Sequence, residues 1–194
     1  MTNLKTRKGT YIEDPAFAKM LFGDTRFSFI WLVLRLYLGY EWLTAGLHKI
    51  SDPAWVQTGA ALKGFWTGAI AIPEAGRPAI AFDWYRSFLT YMLNAEAYTW
   101  FAKLIAYGEV LIGIALILGL FTGIAAFFSG FMNWNFIMAG SASTNGMLFF
   151  IAVLLILAWK TAGYIGLDYY LLPYLGTPWV GKRIEPEVVA APAD

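Results

Sequence analysis

Residues 98–139 read YTWFAKLIAYGEVLIGIALILGLFTGIAAFFSGFMNWNFIMA, an apolar run that contains only two charged residues. A bilayer core of roughly 30 Å is crossed by about 20 residues of helix, so this run is long enough for two crossings. Gly119 and Gly123 lie where a tight turn would divide it. Together with two further apolar stretches, the sequence predicts an all-α integral membrane four-helix bundle with spans at 27–47, 98–120, 121–139 and 147–167.

The composition fits an integral membrane protein and excludes several other classes. Of the 194 residues, 59% are hydrophobic and 14% are charged, whereas about a quarter of residues are charged in soluble domains. The formal net charge of +1 gives no electrostatic basis for nucleic-acid binding. Because the chain has no Cys and a single His, it lacks the ligands of iron–sulfur clusters, thiolate zinc sites and bis-histidine haem. We therefore expect this chain alone to hold no metal and no haem.

The distribution of basic residues predicts the orientation in the membrane. Four spans place both termini on one side, and that side holds eight Lys and Arg residues against four in the long loop 48–97. The positive-inside rule then predicts a multi-pass protein of the cytoplasmic (plasma) membrane, with cytoplasmic termini and an extracytoplasmic loop. The expected organisation is an N-terminal segment 1–26, a single domain 27–167 and a C-terminal tail 168–194.

The 48–97 loop is expected to contain amphipathic helical segments. Ile80, Trp84, Phe88 and Tyr91 follow one another at the spacing of one helix face, with polar residues on the opposite side. A helix with such aromatic anchors is suited to lying in the membrane interface, and it is equally suited to capping the bundle. The sequence leaves both arrangements open.

Four charged residues fall inside the first two spans: Arg35, Glu41, Lys103 and Glu109. A charge at mid-bilayer costs at least about 2.5–3.5 kcal/mol, so each is expected to face the bundle and to find a partner. At about 1.5 Å per residue, antiparallel packing of the first two spans places Arg35 at the same depth in the membrane as Glu109, and Glu41 at the same depth as Lys103. The sequence therefore predicts two crossed ion pairs. These pairs either lock the helices in register or form a ligand or proton site with Glu41 and Glu109 as its catalytic groups.

The third span contains an Asn-Trp-Asn sequence within MNWNFIM. Asn133 and Ser129 share a helix face, which is typical of residues that hydrogen-bond between membrane helices. Alternatively, Asn133, Trp134 and Asn135 line a pocket for a flat polar headgroup such as a quinone, with aromatic walls and an amide donor. The sequence does not decide between packing and quinone binding.

The order of these parts resembles the DoxX family. The similarity covers about residues 25–175 and rests on the segments WLTAGLHKI, GEVLIGIALILGLFTG and NWNFIMAGSASTNG. Within the family, the chain is similar to the DoxD-type large subunit of thiosulfate:quinone oxidoreductase. The resemblance implies a four-helix membrane protein linked to quinone-dependent oxidation of a small sulfur anion such as thiosulfate, with quinone as the electron acceptor.

If the chain oxidises thiosulfate, the dianion needs a cationic pocket, for which the candidates are Arg35, Lys103, His48 and Lys49. The alternative is a non-catalytic accessory or anchoring subunit of a larger respiratory or photosynthetic redox complex. A transporter formed by a dimer of the four spans is a third possibility. The expected partners are the lipid bilayer, other membrane or peripheral redox subunits, and further copies of the chain.

Overall fold

The computed structural model of the protein describes residues 14–175, and no strand occurs among them, which confirms the all-α class. The α-helices of this range are α1 (Ala16–Gly23), α2 (Ser28–Ser51), α3 (Pro53–Val56), α4 (Ala60–Ile70), α5 (Asp83–Asn94), α6 (Tyr98–Leu118), α7 (Thr122–Met138), α8 (Asn145–Leu157), α9 (Trp159–Ala162) and α10 (Asp168–Leu171). Two 3₁₀ helices lie at Thr25–Phe27 and Leu172–Leu175. The parts of the predicted terminal segments at 1–13 and 176–194 lie outside the described residues.

The helices α2, α6, α7 and α8 form a four-helix bundle. α2 packs along α6, α7 packs along α8, and contacts of α6 with α7 and of α2 with α8 close the ring. α2 and α7 therefore face each other across the centre, where the Trp42 indole donates a 2.6 Å hydrogen bond to Ser129 Oγ. Trp31, Leu38 and Leu155 belong to the apolar core around this contact.

Glycines set the register between α2 and α6. A Cβ atom at Gly46 would lie 2.7 Å from the backbone nitrogen of Val110, and one at Gly113 would lie 2.6 Å from the backbone nitrogen of Leu43. Ordinary Cβ contacts are 3.4–4 Å, so only glycine lets the two backbones approach this closely. The glycine contacts therefore fix how far α2 lies along α6.

The predicted turn between the second and third spans is confirmed. Gly119 follows the last residue of α6 with φ +66°, and Phe121 precedes the first residue of α7 with φ +47°, so both residues adopt the left-handed conformation that reverses the chain. The Asp168 carboxylate accepts hydrogen bonds from the backbone N–H groups of Phe121 at 2.5 Å and Thr122 at 2.8 Å. A residue 46 positions along the chain from Thr122 thus caps the start of α7.

The fourth long helix is shorter than predicted. α8 ends at Leu157, whereas the apolar pattern extends the span to residue 167. After α9 the chain turns back at Gly163, where a Cβ atom would lie 2.7 Å from the Cβ of Asp168. The backbone N–H of Asp168 donates to the Gly119 carbonyl at 2.8 Å, and the residue is fully buried. The predicted C-terminal tail therefore begins with a residue that is buried in the fold, because Asp168 forms hydrogen bonds with the α6–α7 turn.

The loop between α2 and α6 contains helical segments, as predicted, namely α3, α4 and α5, although α2 extends to Ser51 before the loop begins. Tyr85 and Leu89 of α5 are buried on the side that packs against α4, whereas Trp84, Phe88 and Tyr91 are exposed. Ile80 is buried and does not belong to the exposed stripe, because it precedes α5. α5 thus packs by one face and presents aromatic side chains on the other.

By length and composition, one helix of the described residues is able to cross a membrane, namely α6. α8 is also apolar but has only 13 residues. The other three spans and the orientation of the chain stay predictions.

Candidate functional site

An apolar cavity of about 610 Å³ lies between α4, α5, α6 and α7. Its wall on α6 includes Gly108, where an added Cβ atom would meet no other atom within 4 Å. The aromatic side chains that line it are Phe65, Trp66, Tyr85, Phe88, Phe101, Phe128, Phe131 and Phe136. Concave apolar sites of this volume with few polar groups are typical of small-molecule binding sites.

Tyr85 and Asn135 form a polar corner of the cavity wall. The Tyr85 hydroxyl donates toward the backbone carbonyl of Asn135 at 3.0 Å, and its distance to Asn135 Oδ1 is 3.2 Å. The Asn135 amide nitrogen donates to the Phe131 carbonyl at 2.8 Å. Burial raises the pKa of the Tyr85 hydroxyl to about 12. Both donors of this corner are thus bonded within the protein, and a ligand acceptor would compete with Asn135 for the Tyr85 hydroxyl.

The three residues of the Asn-Trp-Asn sequence point in different directions. Asn135 lines the cavity, and the Trp134 ring lies 6.4 Å from the Tyr85 ring. Asn133 is fully buried, and neither Asn133 nor Trp134 is part of the cavity wall. Residues adjacent on a helix are rotated by about 100°, so a sequence of three cannot place all its side chains in one pocket. Whether Trp134 and Asn135 bind a quinone stays a prediction.

Glu109 forms an ion pair with Lys49. Lys49 Nζ donates to Glu109 Oε2 at 2.7 Å, and the side-chain exposures are 17% for Lys49 and 1% for Glu109. The Lys49 ammonium also lies 5.1 Å from the centre of the Trp55 ring on α3. The predicted pairing of Glu109 with Arg35 is therefore wrong.

Arg35 lies beside the α6–α7 turn. Its Nη2 donates to the Ile165 carbonyl at 2.7 Å, and its Nη1 would lie 2.6 Å from a Cβ atom at Gly166. The guanidinium also packs against Gly119, ten residues along α6 from the predicted partner Glu109. At 1.5 Å per residue this is a shift of about 15 Å from the predicted register. The prediction was wrong because equal spacing of charges on two helices does not determine the axial position of one helix relative to the other.

Glu41 and Lys103 do not form the second predicted pair. Among residues 14–175, neither takes part in an ion pair within 4.0 Å. Lys103 is exposed, as is His48 near the end of α2, whereas Glu41 is half-buried. The predicted pair fails because Gly113 lies beside Leu43, which places Lys103, ten residues before Gly113, about 15 Å along α6 from the level of Leu43. The exposed Lys103 needs no protein partner where water or lipid headgroups reach it.

Of the four candidate anion-binding residues, Arg35 lies apart from the others, because it is 14 residues before Lys49 on α2, about 21 Å along the helix. Arg35 lies at the α6–α7 turn, Lys49 is neutralised by Glu109, and His48 and Lys103 are exposed. Within the described residues, no three His, Asp or Glu side chains lie close enough to hold a metal ion. The catalytic and substrate-binding roles of these side chains stay predictions.

Sequence reasoning missed two residues that organise the structure. Tyr85 lies outside the predicted aromatic stripe of α5, and its one signal was a polar hydroxyl on an otherwise apolar face. Asp168 has no local signal, because its hydrogen-bond partners are more than 40 residues away in the sequence.

Comparison with known proteins finds a family to which the chain is similar, but no match to an individual protein. The family model described as DoxX matches residues 30–142, which is more than half of the chain and runs from α2 to the end of α7. No curated protein and no solved structure matches the chain.

Proposed function

The chain belongs to the DoxX family of membrane proteins, and from this we propose that it is a four-span membrane subunit that binds a quinone in the aromatic cavity. The cavity itself is the observation that carries the proposal. It combines a volume of about 610 Å³ with aromatic walls and a single polar corner at Tyr85 and Asn135. A quinone presents the same combination, a flat apolar ring with carbonyl acceptors at its edge.

The outer surface of the bundle supports the membrane part of the proposal. Outside the cavity wall, α6 and α7 expose large apolar side chains along their length: Tyr107, Ile114, Leu118, Ile124 and Phe127. Apolar surface of this extent is unfavourable in water and favourable against lipid tails. The 17 residues of α7 rise about 26 Å, close to the thickness of a bilayer core.

The hydrogen bonds at the polar corner fit a quinone carbonyl. The Tyr85 hydroxyl already donates to an oxygen of Asn135, and a carbonyl in the cavity would offer it an alternative acceptor. Phe88 and Phe131 on either side of this corner would hold the ring by apolar and stacking contacts.

We further propose that the quinone accepts electrons from the oxidation of a small sulfur anion, as the resemblance to thiosulfate:quinone oxidoreductase implies. The second candidate, in which the anion reacts on a partner subunit, is favoured because Arg35 lies about 21 Å along α2 from Lys49 and because Lys49 is already paired with Glu109. This chain would then act as the quinone-binding membrane subunit of the complex.

Quinone binding is tested by titrating the purified protein with a benzoquinone that carries a ten-carbon tail. Quinones quench nearby indoles, and Trp66 lines the cavity. Gly108→Leu places a side chain in the cavity and should weaken binding about tenfold or more. Gly64→Leu is the matched control, because Gly64 also has no atom within 4 Å of an added Cβ but does not line the cavity. Equal affinities of the two variants would refute the assignment of the cavity.

The sulfur step is tested separately in membranes that contain the protein. Thiosulfate should support reduction of the same quinone when the partner subunits are present, and Gly108→Leu should abolish it. Turnover by the purified chain alone would support direct catalysis. Normal quinone binding with no thiosulfate-dependent rate in the complete membrane would refute the sulfur part and leave the binding subunit.

A further inference from the structure

We propose that the centre of the bundle contains a second, polar site, in which ordered water joins the Asn133 amide to the Glu109–Lys49 ion pair. This site is separate from the aromatic cavity, because none of these three residues lines the cavity wall. Its position follows from the burial of Asn133 and from two hydrogen bonds between helices, Trp42 to Ser129 and Lys49 to Glu109.

Asn133 is a fully buried amide that has no hydrogen-bond partner within residues 14–175. Its exposed fraction is 0%, and neither Nδ2 nor Oδ1 has a hydrogen-bond partner among the described residues. It lies four residues after Ser129, on the same face of α7, and Ser129 is bonded to Trp42 across the bundle centre. The Asn133 side chain therefore faces the interior and not the surrounding lipid.

Glu109 lies at the same level of the bundle. A Cβ at Gly46 would contact the backbone of Val110, so Glu109 is beside the turn of α2 that follows Trp42. Asn133 is one turn of α7 beyond Ser129, and α2 and α7 run in the same direction across the centre. Along the bundle axis, Glu109 and Asn133 are therefore both about 6 Å from the Trp42–Ser129 hydrogen bond, in the direction in which α2 and α7 run.

The chemistry of this region selects water as the occupant. A buried amide with no partner is costly, and in folded proteins such groups are nearly always bonded to protein or to ordered water. The adjacent ion pair is neutral overall, so it gives no net attraction to an anion or a cation. Water both donates and accepts, so it can bond to the Asn133 amide and to the Glu109 carboxylate at once. Asn133 is then a positioning residue for that carboxylate.

Stability measurements distinguish a hydrated site from an unpaired amide. Asn133→Leu keeps the branched outline and the number of heavy atoms of the side chain while removing its polar groups, so it should stabilise the protein if the amide has no partner. If water joins the amide to Glu109, Asn133→Leu should instead lower the apparent Tm by about 2–8 °C. In equilibrium unfolding, the double variant with Glu109→Gln should lose less than the sum of the single losses.

Thr122→Val is the matched control. Thr122 is also fully buried on α7, and its hydroxyl has no partner among the described residues, but it lies eleven residues from Asn133. Its effect should add to that of Glu109→Gln. Additive effects of Asn133→Leu with Glu109→Gln, or a more stable Asn133→Leu protein, would overturn the proposal.

An experimental structure of the wild-type protein gives a test that needs no variant. Solvent density within hydrogen-bond distance of the Asn133 amide supports the site, and apolar side chains enclosing the amide without density overturn it. Neither measurement depends on quinone, so the outcome is independent of whether the cavity binds one.

Discussion

Replacing Gly113 with Ala tests whether the glycine contacts hold α2 and α6 in register. An added Cβ would lie 2.6 Å from the backbone nitrogen and 2.8 Å from the Cα of Leu43. Backbone atoms cannot rotate away, so the helices must separate by about 0.8 Å to reach an ordinary contact. Strain of this kind costs about 1–3 kcal/mol.

The matched control is Gly108→Ala on the same helix. Gly108 also lies inside α6, but an added Cβ there meets no atom within 4 Å. Both substitutions gain about 0.5–1 kcal/mol because Ala is the better helix former. Gly108→Ala should therefore stabilise the protein, whereas Gly113→Ala should be less stable than Gly108→Ala by about 1–3 kcal/mol, the full cost of the strain.

Equilibrium unfolding in mixed micelles, followed by the fluorescence of the nine Trp residues, measures both free energies. The difference between the two variants is the informative quantity, because the change in helix propensity cancels. If Gly113→Ala is as stable as Gly108→Ala, the two helices do not approach at Gly113, and the register deduced from the glycines is wrong.

Three further predictions address the ion pair, the turn and the orientation. Glu109→Gln should destabilise the protein by about 1–3 kcal/mol in the same unfolding assay, because the buried charge pair is broken, whereas Lys103→Gln should change stability by less than about 0.5 kcal/mol. Asp168→Asn should lower the Tm, since one of two bonds to the first N–H groups of α7 is lost, at a cost of about 1–3 kcal/mol. Single cysteines at Lys63 and Lys182 should react with impermeant reagents from opposite sides of the membrane, and labelling from one side would contradict the predicted topology.

The extents of two long helices and the turn between them follow from local sequence. The apolar run at 98–139 is too long for one helix, and Gly119 divides it where the structure turns. α6 and α7 end within two residues of the predicted limits. These features depend on residues close together in the sequence, so composition and glycine position determine them.

The fourth helix shows where local sequence is insufficient. Its apolar pattern continues to residue 167, yet α8 ends at Leu157. The chain departs from the helix because Asp168 and the backbone around Gly166 contact the α6–α7 turn and Arg35. Contacts between distant segments overrode an apolar pattern that by itself favours a longer helix.

The partners of the charged residues were decided by tertiary structure. Sequence identified Arg35 and Glu109 as buried, and both are 1% exposed, since a charge in an apolar helix must face the bundle. Their partners depend on the slide of α2 along α6, which the contacts at Gly46 and Gly113 determine. Many such contacts, each weak, act between backbones that are far apart in sequence, so the spacing of charges along one helix carries no information about them.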